Sequence, residues 1–221
     1  MRMLRGLVVV GVMGALVFGS ASRSHATGTW MVGASAGGAV PMGNFGDGFD
    51  AGFNGSVSAD YRVSDQFAVG FEAGGNLSNA NSDLNAALNL ETRQLLLLLG
   101  ATTASSDLEA KATLLRFGVH GKWMPSTASV KPFLEAGAGL YRLNAKVKGT
   151  VTADGESVSV DESDNETKAG IQGGGGIMFA ASPSVSVGVG GQFHNVFTDG
   201  ESTQFFTVAA MVQFMTGGGG N

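Results

Sequence analysis

Few residues in this 221-residue sequence carry the functional groups of catalysis, and their spacing limits what they can do. His120 stands four positions after Arg116 and two before Lys122, which puts all three on one face of an extended strand. His194 is followed by Asn195 and Val196, with no Ser two positions on. A hydrolase needs a nucleophile, a base and an orienting acid in mutual reach. No such set is legible around either histidine, and no Asp pair accompanies a His. Metal binding has little to draw on, because the chain has 3 His and 0 Cys. The segment 148–167 carries Asp154, Glu156, Asp161, Glu162, Asp164 and Glu166. Divalent cations take such oxygen ligands, but no fixed ligand spacing is present, so solvated loop acids are the reading. The expectation is no enzyme, no cofactor and no metal.

What remains for the charged residues depends on the elements that hold them. Gly is abundant, at 36 residues, without the three-residue period of collagen. Hydrophobic residues make up 43% of the chain, too many for disorder. Arg2 and Arg5, the apolar run 7–18 and Ser24-His25-Ala26 have the form of a secretory signal peptide, 1–26, cut after Ala26. Cleavage lowers Lys+Arg from 13 to 10 against 18 acids, leaving about −8, which opposes nucleic-acid binding. No later stretch is long and apolar enough for a membrane helix.

The chain after residue 26 reads instead as alternating segments. In 51–63, Phe53, Val57, Ala59, Tyr61 and Val63 share one face, and Asn54, Ser56, Ser58, Asp60 and Arg62 the other. Seven more strands fit 30–40, 67–76, 113–123, 130–143, 168–181, 185–197 and 205–214. The fifth is least regular, and Tyr141-Arg142-Leu143 suggests a bulge or the end of the membrane zone. Short connections at 64–66, 125–129 and 182–184 alternate with long ones at 41–50, 79–110, 148–167 and 198–203. That alternation fits an all-β, eight-stranded antiparallel up-and-down transmembrane β-barrel over 27–216, with a flexible Gly-rich tail at 217–221. Trp30, Tyr61, Phe67, Trp123, Phe179 and Phe214 all fall on the apolar parity at the short-turn end, as an aromatic girdle. Phe53, Phe197 and Phe206 populate the other interface. Phe133 departs from this, since its parity points inward.

Many glycines fall on the inward parity, among them Gly70, Gly74, Gly118, Gly170, Gly174 and Gly176. An eight-stranded barrel has an interior only wide enough for packed side chains. Glycine leaves room there for a polar lumen network of Asp60, Arg62, Glu72, Arg116, His120, Lys122 and Glu135, with Gln172 and Gln192. These charges either line a pore or lock the lumen shut, and the space favours the locked plug. Glu72 with Arg116, and Lys122 with Glu135 below, are the expected ion pairs.

Two loops carry pattern of their own. In 79–110, Ser82 or Asp83 caps a helix with Leu84, Leu88, Leu95 and Leu99 on one face, ending at Gly100. The alternative makes 84–90 and 93–101 two further strands, for ten in all. In 148–167, alternation around Asp154-Gly155 predicts a protruding hairpin.

These residues resemble a known family. Gly37-Gly38-Ala39-Val40-Pro41-Met42-Gly43-Asn44-Phe45-Gly46 resembles the first strand and loop of the small outer-membrane β-barrels of the OmpA, OmpX and OmpW type. The run from Ser58 to Gly70 looks like their second hairpin, and Lys131 to Gly139 like their fifth strand. Thr207, Ala209, Val212 and Phe214 resemble the C-terminal signal read by the barrel-assembly machinery, although Ala209 replaces the usual Gly and Met215–Asn221 follow. The resemblance implies export to the outer membrane of a Gram-negative bacterium. The expected partners are outer-membrane lipid, lipopolysaccharide and the assembly machinery, with the barrel a monomer. The expected role is a structural barrel displaying surface loops, with at most a narrow passive path for small solutes. The alternative is an adhesin acting through those loops.

Overall fold

The computed structural model describes residues 29–125, 129–198, 200 and 202–216. The expected cleavage site after Ala26 and the tail 217–221 lie outside the described residues. Alternating apolar and polar side chains draw the chain into eight strands: β1 (Trp30–Met42), β2 (Gly52–Arg62), β3 (Phe67–Asn79), β4 (Ala104–Trp123), β5 (Val130–Ala153), β6 (Glu156–Ser182), β7 (Val185–Val196) and β8 (Thr203–Thr216). Each pairs antiparallel with its chain neighbour, and β8 pairs with β1, so the sheet closes. Closure matters because lipid offers no hydrogen bonds to a free strand edge.

The parity is as the sequence implies. Val57, Phe71, Phe117, Val119 and Leu140 are exposed on the outer wall, while Asp60, Glu72, Arg116 and His120 are buried inside. No bulge occurs at Tyr141. The β5–β6 register runs unbroken from Val130↔Phe179 to Ala153↔Glu156, and Tyr141 points inward, 1% exposed. The irregularity lies instead between Ala180 and Ser182, where β6 meets β7.

The long connections are more ordered than expected. The hairpin at 148–167 is not a separate unit but the continuation of β5 and β6, which are 24 and 27 residues long. Asp154 and Gly155 take positive φ values of 50° and 87°, as a tight two-residue hairpin turn demands. A short helix, α1 (Gly43–Gly48), interrupts the first loop, which alternation gives no reason to anticipate. The helix reading of 79–110 holds against the ten-strand alternative: α2 spans Ser82–Leu98. Its cap is Asn81, not Ser82 or Asp83, with Oδ1 accepting from Leu84 N at 2.9 Å.

β3 ends opposite Lys111, so β4 continues upward with one edge unpaired by any strand. Asparagines from α2 cover that edge. Asn85 Oδ1 accepts from Ala110 N at 3.0 Å, Asn89 Oδ1 accepts from Leu108 N at 2.8 Å, and Asn89 Nδ2 donates to Leu108 O at 3.0 Å. Side-chain amides thus replace a neighbouring strand, which blunts an edge open to mispairing. At the top, Asp154 Oδ1 accepts from Thr102 N at 2.9 Å and Thr103 N at 2.8 Å, tying the end of α2 to the hairpin turn.

Candidate functional site: a charge-paired lumen

Inward side chains stack in layers along the barrel axis. The floor, at the short-turn end, is a cluster of Met31, Ala68, Met124, Phe133 and Met178, with Met211 and Met215 packed against it. Methionine is unbranched and adapts to irregular gaps, which suits a narrowing barrel mouth. This floor is not legible in the alternation, except for the inward parity of Phe133.

Above it lies the lower charge cluster, centred on Asp60, which is 0% exposed. His120 Nε2 lies 2.7 Å from Asp60 Oδ1, while Lys122 Nζ and Gln213 Nε2 donate to Asp60 Oδ2 at 3.1 and 3.0 Å. Lys122 also reaches Glu135 Oε2 at 3.6 Å, and Gln192 Nε2 donates to Glu135 Oε1 at 2.6 Å. The expected Lys122–Glu135 pair therefore exists, but Lys122 sits closer to Asp60. One ammonium bridging two carboxylates is the better solution when each would otherwise be a buried, uncompensated ion.

The upper charge cluster joins β3 and β4. Arg116 Nε donates to Glu72 Oε1 at 2.8 Å and Nη2 reaches the same oxygen, with both side chains almost wholly buried. Gln172 Nε2 donates to Glu72 Oε2 at 3.3 Å. Asn54 and Asn76 bond to each other across β2 and β3. The roof is apolar again: Leu114, Tyr141, Val196 and Phe205, with Leu143 beside them. His194 stacks on Phe205 at 4.4 Å between ring centres. Tyr141 Oη donates to Gln172 Oε1 at 3.1 Å and lies 3.2 Å from His194 Nδ1.

Arg62 does not join either cluster. It sits half-buried at the lower rim, where β2 ends, with its Nη2 3.8 Å from Met31 Sδ. The participation of Gln213 escapes sequence reasoning, since the pattern of its strand speaks only for the outward apolar face and the terminal signal.

Glycine makes the crowding possible. A Cβ on Gly70 would stand 2.1 Å from Asp60 Oδ1, and one on Gly170 would stand 2.7 Å from Tyr141 Cε2. Both glycines clear space for a side chain on the adjacent strand.

Between floor and roof, a cavity of about 50 Å³ remains, bordered by Ser58, Glu72, His120, Lys122 and Gln192 among others. The two histidines stand in different layers, and neither has a hydroxyl nucleophile and an acid arranged around it. Among the described residues no group of three or more His, Asp or Glu could hold a metal ion.

The outer wall completes the geometry. Trp30, Tyr61, Phe67, Trp123, Phe179 and Phe214 ring the short-turn end with between 36% and 48% of each residue exposed. Trp30 and Tyr61 meet edge to face at 5.2 Å. Residues 10–214 match the family described as "outer membrane protein beta-barrel domain". The chain belongs to that family. It is an outer-membrane β-barrel protein. No curated protein matches the sequence. Among solved structures, Ail, the attachment invasion locus protein of Yersinia pestis, is 9% identical with a TM-score of 0.50, covering 86% of this chain and 99% of Ail. A major outer membrane protein of Thermus thermophilus is 11% identical with a TM-score of 0.50, covering 85% of this chain and 99% of that one. Neisserial surface protein A is 18% identical with a TM-score of 0.48, covering 85% and 98%. At such identities the likeness is one of fold.

Proposed function

We propose that the protein is a structural barrel of the Gram-negative outer membrane whose lumen is closed and whose long strands display a surface spike. The observation that carries this reading is the layering of the lumen: an apolar floor and roof bracket charges that are already paired to each other. A water-filled conduit needs solvated walls along its whole length, whereas here three carboxylates, two cations and an imidazole are bonded to one another across the axis. The paired charges act as struts between strands rather than as ligands for a passing solute. The test is conductance in planar bilayers. The purified barrel is expected to insert without a unitary step, and a reproducible step in the unmodified protein would overturn the closed lumen.

A second reading has one specific observation behind it. Leu98 and Leu99, at the top of α2, are 84% and 76% exposed. Apolar side chains so bare favour a protein partner at the cell surface. Cells displaying Leu98→Ser/Leu99→Ser are then expected to adhere less than cells displaying the unmodified barrel, and equal adhesion removes this reading.

A further inference from the structure

The two apolar ends of the lumen are built from different side chains. The roof uses Leu114, Tyr141, Val196 and Phe205, and no sulfur. The floor gathers Met31, Met124, Met178, Met211 and Met215, which are five of the six methionines among the described residues. The sixth, Met42, is exposed. Sealing alone does not call for sulfur, since the roof manages without it. A thioether differs from a leucine side chain in one chemical respect, because its sulfur is a soft donor.

Three of the five, Met124, Met178 and Met211, border the lumen cavity. Register sets Met178 opposite Gly188 of β7, and Gly188 opposite Met211 of β8. A Cβ on Gly188 would stand 2.5 Å from Met178 Sδ, and one on Gly190 would stand 3.3 Å from Met211 Cε. Both methionines therefore lean over the glycines of β7, which place no side chain between them. His120 borders the same cavity from β4. Its Nε2 lies 2.7 Å from Asp60 Oδ1, and Asp60 also accepts from Lys122 and Gln213. Asp60 is thus the acceptor throughout, and Nε2 carries the hydrogen. Nδ1 is left buried with no hydrogen-bond partner. In the neutral ring that nitrogen holds a lone pair. A histidine whose other nitrogen donates to a carboxylate is the usual arrangement beside a metal ion, since the carboxylate fixes both tautomer and ring orientation.

We propose that the lower lumen binds one copper(I) ion through the thioethers of Met124, Met178 and Met211 and Nδ1 of His120. Softness selects the metal, because thioether sulfur favours copper(I) over the hard cations that take oxygen ligands. Charge selects the oxidation state. The two charge clusters hold three carboxylates, on Asp60, Glu72 and Glu135, against two cations, Arg116 and Lys122. With His120 neutral as a ligand, one negative charge is left over, and a monovalent ion offsets it. A divalent ion would overshoot, and among the described residues no group of three or more His, Asp or Glu is present to hold one. The expectation of no metal rests on His and Cys alone, which leaves thioethers out. Met31 and Met215 stand opposite each other on β1 and β8 at the short-turn end, and half-buried Met215 marks the way in. Unbranched methionine side chains change rotamer readily, which admits an ion without moving the strands. A barrel closed to conductance can still hold such an ion, so the two readings fail separately.

Silver(I) is a redox-inert probe of the same charge and softness. The refolded full chain in detergent and chloride-free buffer is titrated with silver(I), and read by native mass spectrometry and by the carbon-13 resonances of the methionine methyls. One ion per barrel is expected, with the methyls of Met124, Met178 and Met211 shifted and that of Met42 unmoved. Copper(I), kept reduced by ascorbate and competed against a chromogenic chelator, is expected to bind with the same stoichiometry, and zinc(II) is not. Met124→Leu/Met178→Leu/Met211→Leu keeps the floor apolar and close to its volume, and is expected to abolish stoichiometric binding. Met31→Leu/Met215→Leu is expected to retain it. Asp60→Asn, which loosens the hold on His120, is expected to weaken copper(I) binding by about 10–100-fold. Heat-modifiable gel mobility is read on every sample, so loss of the barrel and loss of the ion register separately. Absence of binding to the unmodified barrel overturns the proposal, as does a methyl shift at Met42 equal to the other three, which marks an adventitious ion only. Undiminished binding in the triple leucine variant or in His120→Gln overturns it too.

Discussion

The lumen and the surface spike are built from the same strands and use the same charged residue types, yet they solve opposite problems. Inside the barrel, Glu72 and Arg116 are 5% and 3% exposed, and each is held by the other. On the spike, Lys148 and Asp161 are both 58% exposed, and water can take over either role. β4 contributes Arg116 to the first setting and Lys111 to the second, only five positions apart. The difference teaches that parity and height, not residue identity, set what a charge does in this protein. Below Leu115 an inward charge is a structural strut, because removing its partner strands an ion in a medium that cannot solvate it. Above Leu115 an outward charge contributes little to folding and is available for contact with something else.

The largest expected effect tests the buried side of this contrast. Arg116→Ala leaves Glu72 uncompensated and is expected to cost about 3–5 kcal/mol, the range for breaking a fully buried pair. Combining it with Glu72→Gln should recover part of that loss, since the stranded charge is then gone. Urea unfolding of the refolded barrel in detergent, run as a double-mutant cycle, reads this. Strict additivity would show that the two side chains are independent, and the lumen would then have to be wet enough to solvate each.

The next effect concerns the wall between the two regions. Val119 lies mid-strand on the outer face, opposite Phe71 and Ala138. Val119→Arg is expected to cost about 2–4 kcal/mol at the bilayer midplane. Gly118→Ser is not the mild control that parity alone suggests, because its Cβ would stand 2.9 Å from Ala138 O. Gly121→Ser is the proper control: it shares the outward parity, and a Cβ there meets nothing within 4 Å. Equal loss of folded barrel in Val119→Arg and Gly121→Ser would mean that lipid does not contact this wall.

The spanning part of the barrel is legible in the sequence along its length, whereas of the spike only the hairpin around Asp154-Gly155 is, for a physical reason. In the membrane one face of every strand must be apolar, so Phe53 to Val63 or Phe67 to Ala73 announce themselves by alternation. Above the membrane both faces of β5 and β6 meet water, and the stretches that join the hairpin to the spanning strands, such as Asn144 to Lys146 and Glu162 to Thr167, carry no apolar period to read. Alternation therefore ends these strands too early, at 143 and 168 rather than at the turn. The Glu72–Arg116 contact follows from parity and counted height alone. The hub role of Asp60 does not, because it depends on strands two, four and eight meeting across the axis, and a linear pattern holds only the neighbours. The asparagines of α2 are invisible for a related reason: they answer an edge that exists only because β3 stops before β4 does.

The smallest expected effect lies on the spike and closes the comparison. Asp161 is held below the usual carboxylate range by the hydrogen bond it accepts from Lys146, with Lys148 adding to it. Lys146 is correspondingly raised above the usual ammonium value by its bond to Asp161. The signs fix a window. A carboxylate with a depressed value favours the folded hairpin at pH above its ordinary range and loses that contribution as pH falls through the depressed value. An ammonium with a raised value contributes below its ordinary range and loses the contribution as pH rises through the raised value. The pair is therefore intact across neutral pH and weakens only at the two extremes. Both groups are open to solvent, so added salt competes with the pair, as the Debye length falls from about 10 Å at 0.1 M to about 3 Å at 1 M. A carboxyl-carbon NMR titration of Asp161 in detergent is expected to move towards the ordinary carboxylate range in Lys146→Gln, and to move part of the way with salt. Global unfolding should not change with Lys146→Gln, in contrast to Arg116→Ala. If Lys146→Gln destabilised the whole barrel as Arg116→Ala does, the spike would be part of the same cooperative unit as the lumen.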